Sequence, residues 1–364
     1  MRTTKMRDGL QGGVDVAGVG INATDTIIRL PHLPAIDTKI ELLSDEVKAG
    51  GQVASAMVAC RRWGLRARYV GKIADDAAGS FQVAEMKREG VEAHWITAHG
   101  CASQIAYILV DEPSGERTVL WKRDPKIALR PADLKREWIA GARALLVDGH
   151  DTEAASQAAR WAGEMKIPVV GDLDNRYPGV EVLLEHVDFP VTSRDFPTRL
   201  TNEANLLRAL PRMHAEFSFE LTCATIGRLG AIAWDGEKFL LCRGYRVNAI
   251  DTTGAGDVFH GAFLYGLLRG WAPDAILDFS CAAAALNCTA PGARGGIAPL
   301  EHIEDLMKNG ARSELAYTQE ELRAAGEEAR GLAAGPSHRK RSPRAREKKS
   351  GGATRRHFKS GGRK

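Results

Sequence analysis

The chain has 364 residues, 44% of them hydrophobic, which is enough for one large α/β domain or two ordinary ones. Its net charge of +4 hides an asymmetry, because residues 337–364 hold twelve Lys or Arg and one Glu and leave the rest at −7. No apolar run approaches the roughly 18 residues that span a bilayer, and residues 1–13 lack the apolar stretch of a secretory signal. The six cysteines form no C-x-x-C pair. We therefore expect reduced thiols in a cytoplasmic protein with no membrane partner.

The first predicted element is a buried strand from Val14 to Gly20, because this short apolar run is closed by glycines. Asp25 follows near the carboxyl end of that strand, the place where open α/β sheets bind their ligands. The residues alone leave two interpretations of Asp25 equally open. It either caps the strand end as a turn residue or holds a ligand with its carboxylate.

Residues 26–47 alternate loosely between polar and apolar side chains and contain two prolines, which predicts short strands that stand off the main sheet. Lys39 in this stretch is a solvated surface charge unless it reaches an anionic group of a substrate. Gly50-Gly51 then precedes a helix that is predicted to end at Arg62. Paired glycines at a helix start let a ligand approach the backbone closely, although a plain loop is the default interpretation.

The middle of the chain predicts a hairpin over residues 104–121 and then a regular alternation of helices and strands. The predicted elements are a helix at 132–139, a strand at 144–148, a helix at 152–166 and a strand at 168–172. The two strands are uniformly apolar, which favours a parallel sheet covered on both faces. Asp172 and Asp174, at the end of the last strand, are either turn residues or carboxylates that hold Mg²⁺ through water.

The most informative stretch runs from Ile250 to Ala262 and joins a glycine turn, a carboxylate and a helix start. Gly254 and Gly256 permit a close ligand, and the free N–H groups and dipole at the start of the next helix favour an anion. Asp257 either caps this helix or accepts a proton from a hydroxyl that attacks a phosphoryl group. Asp251, six residues upstream, and the small-residue helix downstream favour the second interpretation.

The string Asp251-Thr252-Thr253-Gly254-Ala255-Gly256-Asp257 resembles the second signature of the ribokinase/PfkB family of carbohydrate kinases. The resemblance extends from Val14 to about Pro299. It implies an α/β fold, the ribokinase-like three-layer sandwich with a mostly parallel central sheet flanked by helices and a small β-strand lid. It also implies an ATP-dependent kinase that phosphorylates a small-molecule sugar, with Asp257 as the general base. The backbone of Gly254, Ala255 and Gly256 would form the anion hole.

The resemblance assigns further residues to the sugar, the nucleotide and the metal. The residues implied to bind the sugar are Asp25, Lys39, Gly50 and Gly51. Those implied to bind the nucleotide are Thr225, Gly227 and Gly230, which match a Thr-x-Gly-x-x-Gly string, and Asn287 and Gly292, which suit an adenine slot. Those assigned to the metal are Asp251 and Thr253. The implied cofactors are ATP and Mg²⁺, with K⁺ as a further cation that loop carbonyls hold in several family members.

The chain departs from the family pattern at several positions, two of which concern the contacts to the substrate hydroxyls and to the metal. Ser55 stands where the first signature usually has Asn, and Ser193-Arg194-Asp195-Phe196 stands where an Asn-x-x-Glu is expected to organise metal and phosphate. Either other groups arrange the metal or this branch differs. The second departure leaves room for a second hypothesis, a catalytically silent module of the same fold that senses a sugar or nucleotide. The intact Asp257 argues against that hypothesis.

The substrate is left open by the sequence. The stretches Thr252 to Ala262 and Asn287 to Gly292 look most like the sulfofructose kinase branch, in which a lid lysine, here Lys39, meets the sulfonate. The other sulfonate contacts of that branch are replaced near Trp121 and Gly149. Ribose, fructose and a 2-keto-3-deoxy sugar acid are therefore open alternatives.

The resemblance and the composition together divide the chain. The predicted parts are an N-terminal extension at 1–13, a kinase domain at 14–310 with lid strands from about 26–48 and 101–122, a C-terminal helical extension at 311–336 and a disordered basic tail at 337–364. Lid strands of this family often pair between subunits, which implies a homodimer. The tail is a solvated segment or makes weak, nonspecific contacts with nucleic acid.

Overall fold

The computed structural model describes residues 13–333. The predictions for the basic tail at 337–364, and for all but the last residue of the extension at 1–13, lie outside the described residues. The strands are β1 (Val16–Val19), β2 (Ala23–Leu30), β3 (Ser44–Gly50), β4 (Ala67–Ala74), β5 (Glu92–Ala98), β6 (Ile105–Asp111), β7 (Arg117–Lys122), β8 (Ala144–Asp148), β9 (Val169–Leu173), β10 (Phe189–Thr192), β11 (Thr222–Thr225), β12 (Gly230–Trp234) and β13 (Phe239–Arg243). The helices are α1 (Gln52–Arg62), α2 (Ala77–Arg88), α3 (Thr152–Glu164), α4 (Val180–Leu184), α5 (Asp195–Thr201), α6 (Leu206–Phe217), α7 (Ala255–Leu268), α8 (Pro273–Asn287), α9 (Leu300–Asn309) and α10 (Gln319–Ala333).

A nine-stranded sheet forms the centre of the described part of the chain, in the order β13-β12-β11-β10-β9-β8-β1-β4-β5. Neighbouring strands are parallel from β5 to β11, whereas β12 and β13 add an antiparallel edge. In the middle, Val16 of β1 lies opposite Ala67 of β4 and Ala144 of β8. The carboxyl ends of the parallel strands therefore meet at one edge, which is where ligands bind in such sheets.

Helices cover both faces of this sheet because its strands send alternate apolar side chains into two cores. Leu146 of β8 belongs to a core shared with α1, α7 and α8, whereas Leu145 and Val147 belong to a core shared with α3, α4 and α6. Helix α7 is buried along nearly its whole length, as expected of a helix that is apolar on all sides. The result is a three-layer arrangement with the sheet in the middle and α7 between α1 and α8 in one of the helical layers.

A second sheet, here called the lid, has four strands in the order β3-β2-β6-β7. Successive side chains of a strand point to opposite faces, so Asp25 and Ile27 share one face of β2 and Thr26 lies on the other. Ile27 is buried together with Ala106 and Ile108 of β6. The lid therefore presents Asp25 on the face that carries its own small apolar core.

The segment after α9 is packed into the domain. Arg312 forms an ion pair of 2.6 Å with Asp278 of α8, and its guanidinium lies 3.7 Å from the ring centre of Tyr245. Leu322 of α10 joins a buried cluster with Trp234 of β12. Within the predicted extension at 311–336, the structure thus places α10 against the antiparallel edge of the sheet. No helix in the described part of the chain is long and apolar enough to cross a membrane.

The predicted helix at 132–139 is wrong. The structure forms two single 3₁₀ turns instead, Pro131–Asp133 and Arg136–Trp138. The carboxylate of Asp133 accepts a hydrogen bond from the backbone N–H of Arg130 and pairs with Lys72 of β4 at 2.9 Å. These contacts fix the backbone at the start of the segment and override its helical pattern.

A substitution of Phe263 tests whether α7 packs against the central sheet as described. The side chain of Phe263 is 1% exposed and its ring centre lies 6.0 Å from that of Phe189 in β10. Phe263→Ala is expected to lower the free energy of unfolding by about 3–5 kcal/mol, because it leaves a cavity between helix and sheet. Denaturant unfolding measures the change. Val182→Ala, at an exposed position in α4, is the control and should change it by less than about 0.5 kcal/mol; equal effects would contradict the described core.

Candidate active site

Asp25 and the Gly50–Gly51 turn form one side of the candidate site. A Cβ on Gly50 would lie 1.8 Å from Oδ2 of Asp25, so only glycine fits beside this carboxylate. Gly51 is the N-cap of α1, which links the turn to the central core. Burial raises the pKa of Asp25 to about 7, while the positive charge of Arg294 opposes the rise and the carboxylate of Asp257 adds to it.

Asp257 lies in the first turn of α7, beneath the glycine turn. Gly254 is the N-cap with a φ of 74°, and a Cβ there would lie 2.2 Å from the carbonyl oxygen of Ala293. No side chain caps this helix, and none of the described residues donates a hydrogen bond to the Asp257 carboxylate. The carboxylate is therefore not occupied as a helix cap, and the first N–H groups of α7 are available to an anion.

The pKa of Asp257 fits a group that exchanges a proton near neutral pH. Burial raises this pKa to about 7, and Asp174 and Asp148 add to the rise. The positive charges of Arg117 and Arg294 oppose it. A carboxylate in such surroundings is a candidate general base, since its pKa lies close to the working pH.

Asp251 and Asn287 stabilise the glycine turn through buried hydrogen bonds. The two oxygens of Asp251 accept hydrogen bonds from the backbone N–H groups of Thr253 at 2.8 Å and Gly292 at 2.7 Å. The side-chain amide of Asn287 donates to the carbonyl oxygens of Thr253 at 3.1 Å and Ala293 at 3.2 Å. Both side chains are almost fully buried. They cross-link the turn to the loop 291–296, which follows α8.

Arg117 reaches the same turn from the lid. It begins β7, and its Nη1 donates to Oγ1 of Thr252 at 2.9 Å. The backbone N–H of Thr252 donates in turn to the carbonyl oxygen of Gly115, at 3.3 Å. Arg117 is also the strongest charge that opposes the raised pKa of Asp257. The lid hairpin therefore brings a cation to the glycine turn.

Two more carboxylates lie at or near the carboxyl ends of the neighbouring strands. Asp148 closes β8, where it accepts the backbone N–H of Ile21 at 2.7 Å, and burial raises its pKa to about 7. Asp172 lies in β9 and is completely enclosed, so its pKa is raised well above its usual range, first by burial and then by Asp257 and Asp174. His260 of α7 lies 3.4 Å from Oδ2 of Asp172. Both ring nitrogens of His260 face carbonyl oxygens, of Gly256 at 2.7 Å and of Val191 at 3.0 Å.

The residues assigned to the nucleotide lie at two places. Thr225 ends β11 and donates to the carbonyl oxygen of Thr192, and Gly227 and Gly230 bound the tight turn that follows. Gly292 belongs to the loop beside Gly254. Asn287 is completely buried with its amide nitrogen already on two carbonyl oxygens. Its contact with a nucleotide stays a prediction, as do the other assignments.

Lys39 is placed apart from these residues. It lies in the exposed loop at 31–43 that joins β2 to β3, at the end of β2 away from Asp25. The structure therefore puts Lys39 on a loop rather than on a lid strand. Its role in binding an anionic group stays a prediction.

Side chains from β7 and from the ends of β8 and β9 form an aromatic cluster. His150 lies 4.5 Å from Tyr177 and 6.1 Å from Trp121, measured between ring centres. Arg123 beside them forms a two-pronged ion pair with Asp151. Arg123 is therefore part of a salt bridge rather than a free anion-binding group.

The positions where the sequence lacks an Asn-x-x-Glu provide no metal ligand of that kind. Oγ of Ser193 donates to the carbonyl oxygen of Asp174 at 2.8 Å, and Asp195 lies near Arg199 at 3.5 Å. Within the described residues, no three His, Cys, Asp or Glu side chains are placed to hold a metal ion together. The metal site assigned to Asp251 and Thr253 stays a prediction: each Asp251 oxygen accepts one backbone N–H group, and Oγ1 of Thr253 is buried without a hydrogen-bond partner.

Arg117, Arg294, Asp148 and His260 escaped the sequence-based prediction. Each lies far along the chain from its partner: Arg294 and Gly50 are separated by 244 residues, and Arg117 and Thr252 by 135. A lone arginine usually indicates a solvated surface charge. The one available signal was the position of Arg294 in the glycine-rich loop after α8.

Comparisons with known proteins identify the family of the chain and agree with its fold. The chain matches the pfkB family of carbohydrate kinases over residues 15–299. A 5-dehydro-2-deoxygluconokinase from Geobacillus kaustophilus (strain HTA426) is 25% identical over 323 residues, which cover 82% of this chain and 95% of that protein. The ribokinase of Arabidopsis thaliana complexed with ribose and ATP is 20% identical, with a TM-score of 0.69 over 81% of this chain and 99% of that chain. An E. coli structure in complex with ATP and Mg²⁺ is 18% identical, with a TM-score of 0.71 and the same coverages. The predicted ribokinase-like fold is confirmed.

The raised pKa of Asp257 can be tested through stability. Its carboxyl holds a proton in the folded state up to about pH 7, whereas the unfolded chain releases it near the usual 3.8. The cost of burying the charge is therefore absent below about pH 4 and complete above about pH 7. Asp257→Asn should raise the melting temperature more at pH 8 than at pH 5. The control Asp195→Asn, at an exposed position, should not; an equal gain at both pH values would contradict the burial of Asp257.

Proposed function

Because the chain belongs to the pfkB family of carbohydrate kinases, we propose that it transfers the γ-phosphoryl group of ATP to a sugar hydroxyl with Asp257 as the general base. One observation carries the proposal. Asp257, with a pKa of about 7, lies in the first turn of an uncapped helix whose N–H groups face the same space. That arrangement combines a base with an anion hole.

The sugar lies between the lid and the central sheet. Asp25 and the backbone of Gly50 and Gly51 hydrogen-bond its hydroxyls, in a place where glycine is required beside the carboxylate. The aromatic cluster of Trp121, His150 and Tyr177 offers ring surfaces of the kind that sugar rings pack against. Its position at the ends of β7, β8 and β9 adjoins the carboxylates near Asp257.

The nucleotide extends from the glycine turn towards the antiparallel edge. Its γ-phosphate lies at Gly254, Ala255 and Gly256, and its base lies beyond Thr225, Gly227 and Gly230. Arg117 from the lid lies beside the phosphate and balances the charge that develops during transfer. Asn287 and Gly292 act on this part of the site through the turn they support.

The transfer step needs one proton acceptor. The Asp257 carboxylate takes the proton of the sugar hydroxyl, a primary one in this proposal, as the hydroxyl oxygen forms a bond to the γ-phosphorus. The bond from that phosphorus to the bridging oxygen of ADP breaks, and ADP leaves with its electron pair. The N–H groups of Gly254, Ala255 and Gly256 stabilise the oxygens of the transferring group.

Magnesium fits this site only through its own water. The described residues form no direct three-ligand metal site, whereas Asp172 has a buried oxygen without a hydrogen-bond partner and Asp174 lies near it. Mg²⁺ keeps several waters when it binds with nucleotide phosphates, so these carboxylates are the groups that would hold it. When bound, it neutralises phosphate charge.

The K⁺ site in the loop carbonyls stays a prediction. The oxygens of Thr253 and Ala293 each accept one hydrogen bond from the amide of Asn287. A carbonyl oxygen has a second lone pair, so these contacts leave it able to bind a cation. We assign no step of the transfer to K⁺.

For the substrate we propose a class of compounds and no single sugar. The G. kaustophilus relative is named for 5-dehydro-2-deoxygluconate and the A. thaliana structure contains ribose, so the relatives do not single out the sulfofructose kinase branch. Lys39, the residue that this branch would use, lies in an exposed loop. We propose a small sugar or sugar acid, phosphorylated in the cytoplasm, where the six cysteines remain free thiols.

We also propose that the lid forms a homodimer. Of the eleven large apolar side chains that are exposed in the described residues, nine lie in the lid and its loops. Val47, Tyr107 and Leu120 form one row across the sheet, on the face opposite Asp25, and are 57%, 47% and 52% exposed. Thr26 of β2 lies between Val47 and Tyr107 in this row. An exposed row made mostly of apolar side chains indicates a protein interface.

The kinase proposal predicts that Asp257→Asn loses activity. Removing the base should lower kcat by about 10²–10⁴-fold, with ATP and sugar still bound. Coupled detection of ADP with Mg²⁺ and a panel of sugars and sugar acids measures it, and Asp195→Asn is the matched control on the surface. Activity within tenfold of the wild type in Asp257→Asn would remove Asp257 from the mechanism. ATP binding without turnover on any sugar would favour a silent sensor instead.

The dimer proposal predicts a change in mass. The double variant Val47→Glu with Leu120→Glu buries two charges in the proposed interface and should give a monomer by light scattering after gel filtration. Val182→Glu, an exposed apolar position outside the lid, should leave a dimer. A wild-type monomer at micromolar concentration, or a dimeric double variant, would contradict the proposal.

A further inference from the structure

Arg294 is a buried cation in the loop 291–296. Its side chain is 6% exposed, and every hydrogen-bond acceptor around it is neutral. Nη2 donates to the carbonyl oxygen of Gly50 at 2.6 Å and lies 3.4 Å from Oδ1 of Asn22, while Nε donates to Oγ of Ser55 at 3.1 Å. No carboxylate lies within ion-pair distance of it in the described part of the chain. Its charge is therefore buried without a paired counter-ion.

The residues just before Arg294 hold the opposite side of the site. The backbone N–H of Gly292 binds Asp251, and the carbonyl oxygen of Ala293 accepts the Asn287 amide and lies against Gly254. Three consecutive residues thus connect the glycine turn at Gly254 with the glycine turn at Gly50. The connection needs no ligand to form.

We propose that Arg294 is a positioning residue that holds the Gly50 turn in register with the Gly254 turn, and that its unpaired charge acts on Asp25 and Asp257 across the site. The proposal builds on the kinase function, because those turns are assigned there to the sugar and the γ-phosphate. Arg294 itself touches neither substrate. It acts through Gly50, Ser55 and the electrostatic field.

The electrostatics of the site agree with this role. Arg294 is the strongest charge that opposes the raised pKa of Asp25, and it stands second to Arg117 for Asp257. Burial lowers the pKa of Arg294 to about 10, against the attraction of acidic groups on three elements. These groups are Asp25 on β2, Glu85 on α2, Glu89 after α2 and Asp257 on α7. The other charges that act on the two carboxylates are Asp251, Asp148, Asp174 and Arg117.

Two substitutions of Arg294 separate the effect of its hydrogen bonds from the effect of its positive charge. Arg294→Lys keeps the charge but cannot reach all three acceptors in the same geometry, whereas Arg294→Gln removes the charge. Arg62→Gln is the matched control. Arg62 is a neighbouring arginine that donates to the carbonyl oxygen of Arg294 at 3.0 Å, and it pairs with Glu89 outside the site.

The first measurement needs no substrate. Carbon-13 NMR of aspartate-labelled protein follows the carboxyl groups of Asp25 and Asp257, identified by Asp25→Asn and Asp257→Asn. In Arg294→Gln both carboxyls should titrate at higher pH than in the wild type, because the opposing positive charge is gone. Arg294→Lys and Arg62→Gln should leave them close to the wild-type values. Unshifted titration in a folded Arg294→Gln would overturn the electrostatic part.

The second measurement uses steady-state kinetics on the sugar that the wild type phosphorylates. Loss of the Gly50 contact should raise the KM for sugar by roughly tenfold in both Arg294 variants and leave the KM for ATP within about twofold. A sugar KM like that of the wild type, or equal rises in both KM values, would overturn the positioning role. If Arg294→Gln does not fold, Arg294→Lys alone still tests that role. If the wild type phosphorylates no sugar, the kinase proposal fails while the NMR titration still decides the action of Arg294.

Discussion

The structure depends on how it accommodates acidic side chains buried at the carboxyl ends of its parallel strands. Burial raises the pKa of Asp148, Asp172 and Asp257. The charge of Asp148 adds to the rise at both Asp172 and Asp257, and the charge of Asp257 adds to the rise at Asp172. Such a cluster is costly unless cations oppose it. Arg117 from the lid and Arg294 from the loop after α8 supply that opposition, so lid and loop are electrostatically tied to the sheet edge.

The same cluster connects stability to function. Carboxylates that a folded protein would otherwise protonate or avoid are retained where a base near neutral pH is useful. The glycine turn at Gly254 comes close enough to Ala293 to exclude any side chain, and Asp251 and Asn287 fix it with buried hydrogen bonds. The proposed anion hole is therefore already shaped in the absence of a nucleotide, as stabilisation of a transition state by fixed N–H groups requires.

The sequence predicted much of the fold because the relevant signals are local. The uniformly apolar strands predict a parallel sheet covered by helices, and the small-residue stretch after Ile250 predicts α7, which packs on that sheet. The predicted strand at 144–148 coincides with β8. The helix at 132–139 failed because the contacts of Asp133 with Arg130 and Lys72 are set by the tertiary fold. The role of Arg294 could not be predicted for the same reason, since its partner Gly50 lies 244 residues away in the sequence.

Phosphorus-31 NMR of the products tests the central claim most directly. The protein is mixed with ATP, Mg²⁺ and, in separate samples, ribose, fructose, sulfofructose and 2-keto-3-deoxy and 5-keto-2-deoxy sugar acids. Phosphoryl transfer to a sugar with Asp257 as the general base predicts a new phosphomonoester signal in at least one sample. That signal should grow at the same rate as the signal of ADP. ADP and inorganic phosphate without any phosphomonoester, or unchanged ATP in every sample, would contradict the account.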